Sequence, residues 1–167
     1  KCAARTDQAE RTGLLDDLPD DSPDGGRLSI AAMGLGGAQG AYEAALKYAR
    51  QREQFGQPIS KFQAVAFKLA DCAMEIECAR NLMYKACWMR DRKKPFEKLA
   101  AMAKLYASEA AMYIAHQTVQ IHGGMGYAEE TAVSRYFADA RVLSIFEGAE
   151  ETLAIRVVGK ALVEGGR

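Results

Sequence analysis

The spacing of apolar residues along the chain predicts helices. Between residue 61 and about residue 92 they recur every three or four positions, and charged side chains occupy the opposite face. This pattern predicts a long amphipathic helix that ends before Pro95. The apolar stripe of this helix consists of Phe62, Val65, Leu69, Ala73, Ile76, Ala79, Met83 and Ala86.

Two further long helices are predicted on either side of this one. From residue 27 to about 50, small residues line one helical face, so this helix should let a neighbour approach closely. Four glycines weaken its helix propensity, so tertiary packing should hold it. From residue 97 to about 120, a third helix should end at the glycines of residues 122–126. One side of the third helix carries Leu99, Met102, Tyr106, Tyr113 and Gln117.

The remaining sequence adds two shorter helices and no strand. The helices are expected at about residues 130–140 and 150–164, with a turn at residues 144–148 between them. No alternating pattern of useful length favours a β-strand. We therefore predict an all-α fold, an antiparallel up-and-down four-helix-type bundle with short additional C-terminal helices over residues 27–167. Residues 1–26, rich in Asp, Gly and Pro, are predicted to be a polar tail or linker.

Composition excludes several functional classes. Of the 167 residues, 22 are Lys or Arg and 22 are Asp or Glu, so the chain lacks the net positive charge of a nucleic-acid binder. No apolar run approaches the length of a membrane span, and the polar first residues resemble neither a signal nor a transit peptide. The four cysteines and two histidines have no zinc-site spacing. Cys72, Cys78 and Cys87 lie in an apolar periodic stretch, so we expect them to be buried structural thiols.

Several local patterns each allow two interpretations. The glycines of residues 34–40 approach the spacing of a dinucleotide-binding loop, but the predicted helices favour close helix packing. The glycines after His122 could cradle a phosphate or simply end a helix. Arg52 lies in a basic turn that could reach a pyrophosphate or remain solvated. Glu147, beside apolar residues and before a helix, could be a general base or a helix cap.

Read in order, these patterns resemble the C-terminal domain of acyl-CoA dehydrogenases. The resemblance covers about residues 24–164. It rests on the segments REQFGQPI (52–59), FQ (62–63), KLAD (68–71), AMAK (101–104), QIHGG (120–124), ADA (138–140) and IFEG (145–148), together with Arg135. The family enzymes have three domains, and the chain is similar to the last of these, a helical bundle.

The resemblance implies a site for acyl-CoA. Glu147 matches the catalytic base that removes the α proton, and Gly148 matches the glycine beside the substrate. Asp24 and Arg27 match a pair that approaches the coenzyme A portion. Some branches of the family carry the base on the first helix, where this chain has Gly26, so Glu147 has no rival.

The resemblance also implies FAD and an oligomer. The family positions that hold the FAD of a neighbouring subunit fall here on Arg52, Gln54, Phe55, Gln63, Gln120, Ile121, His122, Gly123 and Gly124. Ala149 and Glu151 also match FAD-contacting positions, although Ala149 lacks the hydroxyl of the usual Thr. We expect a dimer of dimers, electron-transfer flavoprotein as the electron acceptor, and a bacterial cytoplasmic or mitochondrial matrix location. The chain alone should be inactive, and the alternative is a non-catalytic helical oligomerisation module.

Overall fold

A computed structural model describes residues 23–164. Three long helices are connected antiparallel, and shorter helices follow them, so the all-α up-and-down bundle is confirmed. The elements before the third long helix are α1 (Pro23–Gln51), β1 (Glu53–Gln54), β2 (Gln57–Pro58), a 3₁₀ turn (Ile59–Lys61) and α2 (Gln63–Asp91). The remaining elements are α3 (Glu97–His122), α4 (Gly124–Tyr127), α5 (Ala132–Val142), α6 (Glu150–Leu153), a π-helical turn (Ala154–Gly159) and α7 (Lys160–Glu164).

Helix α1 begins four residues before the predicted start at Arg27. Pro23 suits a first helical turn because its φ is already helical and its missing N–H would have had no partner there. Asp24 places a negative charge in the same turn, where it interacts favourably with the helix dipole and so stabilises the helix. The last four residues of the predicted tail are therefore helical, and the rest of that tail lies outside the described residues.

Small residues bring α1 close to its neighbours, as predicted. A Cβ on Gly34 would lie 3.0 Å from the carbonyl oxygen of Ala107 in α3, and one on Gly40 would lie 2.9 Å from the Tyr136 hydroxyl of α5. Gly36 and Gly37, by contrast, face open space. Because the glycine cluster lies inside a helix, the dinucleotide-loop interpretation is wrong.

Helix α3 is buried over a wider surface than the apolar stripe that the sequence predicts. Met102 and Tyr113, both assigned to that stripe, are exposed. The buried face is instead formed by small side chains, mainly alanines between Ala100 and Ala115. The prediction was wrong because weakly apolar alanines pack closely without producing a strong hydrophobic signal.

Within residues 23–164, the core has two clusters that join the helices at different levels. The larger one includes the predicted face of α2 from Ile76 to Ala86 and the α3 residue Ile114. The smaller one lies at the far end of α1, and it connects α1, α2 and the end of α3 to the 3₁₀ turn that follows the β1–β2 hairpin. Its buried members are Ala45, Ala49, Ile59, Leu69 and Ile121.

The cysteines only partly follow the prediction of buried thiols. Cys72 and Cys87 are buried, whereas Cys78 is exposed on α2, and Cys2 lies outside the described residues. Among the described residues, no group of His, Cys, Asp and Glu could hold a metal ion. Within that same part of the chain, no helix is long and apolar enough to cross a membrane.

Candidate functional site

Glu147 lies in the turn between α5 and α6, in an unusual backbone conformation. Its φ is +54°, and the next residue, Gly148, has a φ of +100°. Two successive positive φ angles reverse the chain sharply, and a non-glycine residue holds such a conformation only when its surroundings fix it. The side chain of Glu147 is exposed, as are Ile145 and Phe146. The described residues therefore do not supply the apolar surroundings expected for Glu147.

The carboxylate of Glu147 lies against the first turn of α1. A Cβ on Gly26 would be only 2.5 Å from Glu147 Oε2, so this position leaves room for the carboxylate because it is glycine. On the same turn, Asp24 and Arg27 form a half-buried ion pair. The structure thus places the Glu147 carboxylate against the helical turn that also carries the two residues predicted to approach coenzyme A.

The buried side of this turn is attached to α3. Lys104 is fully buried, and its Nζ donates a hydrogen bond to the Gly148 carbonyl oxygen at 2.9 Å. One helical turn later, Ser108 Oγ donates to the carbonyl oxygen of Leu143 at 3.1 Å. Two side chains of one helix therefore hold the segment before Glu147 and the residue after it.

Acidic residues follow the turn at the start of α6. Glu150 is half-buried, and its Oε1 is buried without a hydrogen-bond partner among the described residues. Burial raises the pKa of the Glu150 carboxyl, and nearby Lys104 opposes that rise. Glu151 is exposed, and Ala149 precedes the helix without a side-chain cap.

The first group of predicted FAD residues lies on and beside the β1–β2 hairpin. Arg52, Gln54, Phe55 and Gln63 are all exposed, and Phe55 is 92% accessible. The Arg52 side chain makes no ion pair with the described residues. An exposed guanidinium without a partner carboxylate fits the diphosphate of FAD.

The second group, residues 120–124, is divided between surface and core. Ile121 and His122 are buried, and the His122 ring stacks on Tyr48 with centroids 4.3 Å apart. Gly123 has a φ of +59°, and a Cβ on Gly123 or Gly124 would meet nothing within 4 Å. This exposed backbone fits close approach of a phosphate, so the glycines fit the predicted role, whereas the side chains of Ile121 and His122 face the core.

The two groups meet at one end of the bundle. The Tyr48–His122 stack joins the end of α1 to the end of α3. The Arg52 N–H donates a backbone hydrogen bond to the Tyr48 carbonyl oxygen at 2.8 Å. Glu147, by contrast, contacts Gly26 at the start of α1. At 1.5 Å per helical residue, Gly26 and Tyr48 are roughly 33 Å apart. Arg52 and Glu147 of one chain therefore lie at opposite ends of the bundle.

Sequence reasoning gave no role to Lys104. The motif AMAK contains it, but nothing nearby in sequence indicates a partner, because the carbonyl that it binds belongs to Gly148. A lysine in the middle of an alanine-rich helix face was the available signal, since an unpaired charge is rarely buried.

The chain is similar to known proteins over the described residues. A family model described as the C-terminal domain of acyl-CoA dehydrogenase matches residues 23–163. The mitochondrial short-chain specific acyl-CoA dehydrogenase of Bos taurus is 50% identical over 139 residues, 83% of this chain and 34% of the relative. The caffeyl-CoA reductase-Etf complex subunit CarC of Acetobacterium woodii is 46% identical over the same share of this chain and 37% of its own length.

The chain is also similar to solved structures of this family. Butyryl-CoA dehydrogenase from Megasphaera elsdenii superposes with a TM-score of 0.83 and 48% identity, covering 84% of this chain and 37% of that one. The chain spans about a third of the length of these relatives.

Proposed function

We propose that this chain, which belongs to the acyl-CoA dehydrogenase family as a C-terminal helical domain, contributes the catalytic base to the α,β-dehydrogenation of an acyl-CoA thioester. The observation that carries the proposal is the position of the Glu147 carboxylate. It projects from a turn held by Lys104 and lies beside Gly26, in the same helical turn as the Asp24–Arg27 pair predicted to approach coenzyme A.

In this reaction, Glu147 removes the α proton of the thioester. A C–H next to a thioester is weakly acidic, so the carboxylate must be fixed in line with it. The family is composed of flavoproteins, and bound FAD supplies an acceptor for the β hydrogen as hydride. Arg27 adds a positive charge near the base, where it can attract the phosphates of coenzyme A. Two matched relatives are named for short-chain or butyryl substrates, which supports a short acyl group.

Arg52, with Gln54, Phe55 and Gln63, holds the FAD of a neighbouring copy together with the glycines at positions 123 and 124. The separation of roughly 33 Å between the two ends of α1 supports this division. The base at the start of α1 and the FAD contacts at its end therefore belong to two different active sites. This sharing fits a homo-oligomer, a dimer of dimers as in the family. The name of the A. woodii relative supports electron-transfer flavoprotein as the electron acceptor.

The test uses a chimeric enzyme in which residues 23–164 replace the matching segment of the M. elsdenii butyryl-CoA dehydrogenase. Anaerobic mixing with butyryl-CoA measures how fast the flavin is bleached. We expect Glu147→Gln to slow bleaching by ~100- to 10,000-fold with normal flavin content, because the amide keeps the shape but cannot accept the proton.

Arg52→Ala is the matched variant at the other end of the bundle. It should lower the flavin content, because it removes a charge-assisted contact, and leave bleaching of the remaining flavin fast. Bleaching at the parental rate in the Glu147→Gln chimera would contradict the assigned base. It would favour the second candidate, a non-catalytic oligomerisation module, if the bundle still assembled.

A further inference from the structure

We propose that Lys104 is a positioning residue for Glu147. Its buried ammonium holds the Gly148 carbonyl and thereby fixes the left-handed turn from which the Glu147 carboxylate projects. The inference rests on the proposed function for its catalytic consequence, but not for the contact itself.

Burying the Lys104 ammonium costs free energy. Lys104 is the largest of the fully buried side chains in the part of the chain that the structure describes, and burial of an ammonium is unfavourable unless it gains strong partners. Core packing alone would be better served by an apolar side chain of similar length. The hydrogen bond to the Gly148 carbonyl, at 2.9 Å, gives the buried charge a specific partner.

The backbone of the Glu147 turn is strained. Glu147 at φ +54° is a non-glycine residue in the left-handed region, and Gly148 follows it with a φ of +100°. Such a conformation of a non-glycine residue costs of order 1–3 kcal/mol and persists only when neighbouring contacts enforce it. Lys104 contacts the carbonyl of the residue that directly follows Glu147, so it lies where that enforcement is needed.

Helix α3 also holds the turn at a second point. The Ser108 hydroxyl shares its single proton between the Lys104 carbonyl, at 2.8 Å, and the Leu143 carbonyl, at 3.1 Å and four residues before Glu147. The Glu150 amide closes the turn by donating to the Ser144 carbonyl at 3.3 Å. The turn is therefore fixed on one rigid helix rather than held by its own loop.

The charges around Lys104 agree with an ammonium at this site. Glu150 and Glu151 both favour its protonated form, although burial lowers the Lys104 pKa from its ordinary value. The structure places no ion pair on the Lys104 ammonium within the described residues, so the carbonyl of Gly148 is its specific contact. The Glu150 and Glu151 carboxylates compensate the positive charge of Lys104, whereas the hydrogen bond to Gly148 fixes where the ammonium lies.

The first test uses the full 167-residue chain and needs no flavin. Lys104→Met removes the charge and the donor but keeps the length. We expect the Gly148 ¹³C′ resonance to shift and the Glu150 amide to exchange roughly 10- to 100-fold faster, as expected for loss of a hydrogen bond from a charged donor. Circular dichroism should show unchanged helix content.

Thr118→Val is the matched control, because Thr118 is buried on the same helix and donates to the Ala41 carbonyl rather than to the turn. It should lower the melting temperature and leave the Gly148 resonance and the Glu150 amide unchanged. Equal changes in both variants, or no change in Lys104→Met, would overturn the proposal. If Lys104→Met does not fold, a cross-hydrogen-bond coupling between Lys104 ¹⁵Nζ and Gly148 ¹³C′ in the parent chain decides the contact, and its absence overturns it.

The second test uses the chimeric enzyme. A base displaced by about 1 Å can lose ~100-fold in rate, so Lys104→Met should slow flavin bleaching by roughly 10- to 100-fold, with normal flavin content and little change in KM. Parental bleaching in Lys104→Met, while Glu147→Gln is slow, would overturn the positioning role alone. Bleaching at the parental rate in Glu147→Gln would contradict the assigned base. The first test, which does not depend on flavin, would then still decide whether Lys104 fixes the turn.

Discussion

Gly26→Ala should separate the stability of the bundle from the position of Glu147. The added Cβ would lie 2.5 Å from Glu147 Oε2, which is closer than real Cβ atoms approach. The clashing atom is the far end of a flexible side chain, so the carboxylate can move away at little cost. Reaching ordinary van der Waals contact, which begins at 3.4 Å, requires a movement of about 1 Å.

The two expected effects have opposite signs. Replacing glycine by alanine within a helix stabilises it by up to ~1 kcal/mol, which corresponds to about 2–4 °C in Tm for a chain of this size. A displacement of about 1 Å at the base can reduce the rate ~100-fold. The variant should therefore be slightly more stable and much slower.

Gly36→Ala provides the matched control, because Gly36 lies in the same helix and a Cβ at that position would meet nothing within 4 Å. Thermal unfolding of the 167-residue chain gives Tm, and anaerobic flavin bleaching in the chimeric enzyme gives the rate. We expect both variants to gain stability and only Gly26→Ala to slow bleaching. Equal bleaching rates in the two variants would refute the placement of the carboxylate against α1.

Three further predictions concern the core and its titratable groups. Ile114→Ala should lower the free energy of unfolding, measured in urea, by about 2–5 kcal/mol because the Ile114 side chain is fully buried. Met102→Ala should lower it far less because Met102 is exposed. Iodoacetamide should alkylate exposed Cys78 in the folded chain before Cys72, because burial raises the pKa of the Cys72 thiol to about 11; faster labelling of Cys72 would contradict this. The pKa of Lys104 is below its ordinary 10.5 in the folded chain, so the unfolded chain binds more protons and stability should rise with pH through that interval. Lys104→Met should lack this rise in pH-dependent unfolding.

The sequence predicted best where bulky apolar residues repeat. The α2 stripe around Ile76 and Met83 was correct because such side chains mark the buried face clearly. The burial of α3 was mispredicted because alanines carry little signal, and the start of α1 was placed late because Gly26 weakens the local pattern. Gly26 is explained only by Glu147, far along the chain, so its role required the three-dimensional structure.

The candidate site shows the same division between local and distant information. The motif around Glu147 identified the residue, but not its left-handed backbone or its exposure, which depend on distant contacts. Ile121 and His122 belonged to a recognisable motif, yet their side chains pack inward because Tyr48 and the smaller core cluster are there. A motif identifies a segment, whereas packing decides which of its atoms face outward.

The opposite placement of Glu147 and Arg52 along α1 has a genetic consequence under the proposed function. If each centre takes its base from one copy and its FAD contacts from another, two defective chains can complement each other. In a mixed pair of Glu147→Gln and Arg52→Ala copies, one centre combines both defects and the other combines two intact contributions. Such heteromers should recover up to about half of the parental activity, although neither mutant homomer is fully competent. Two alleles that are each defective alone would then partly compensate for each other.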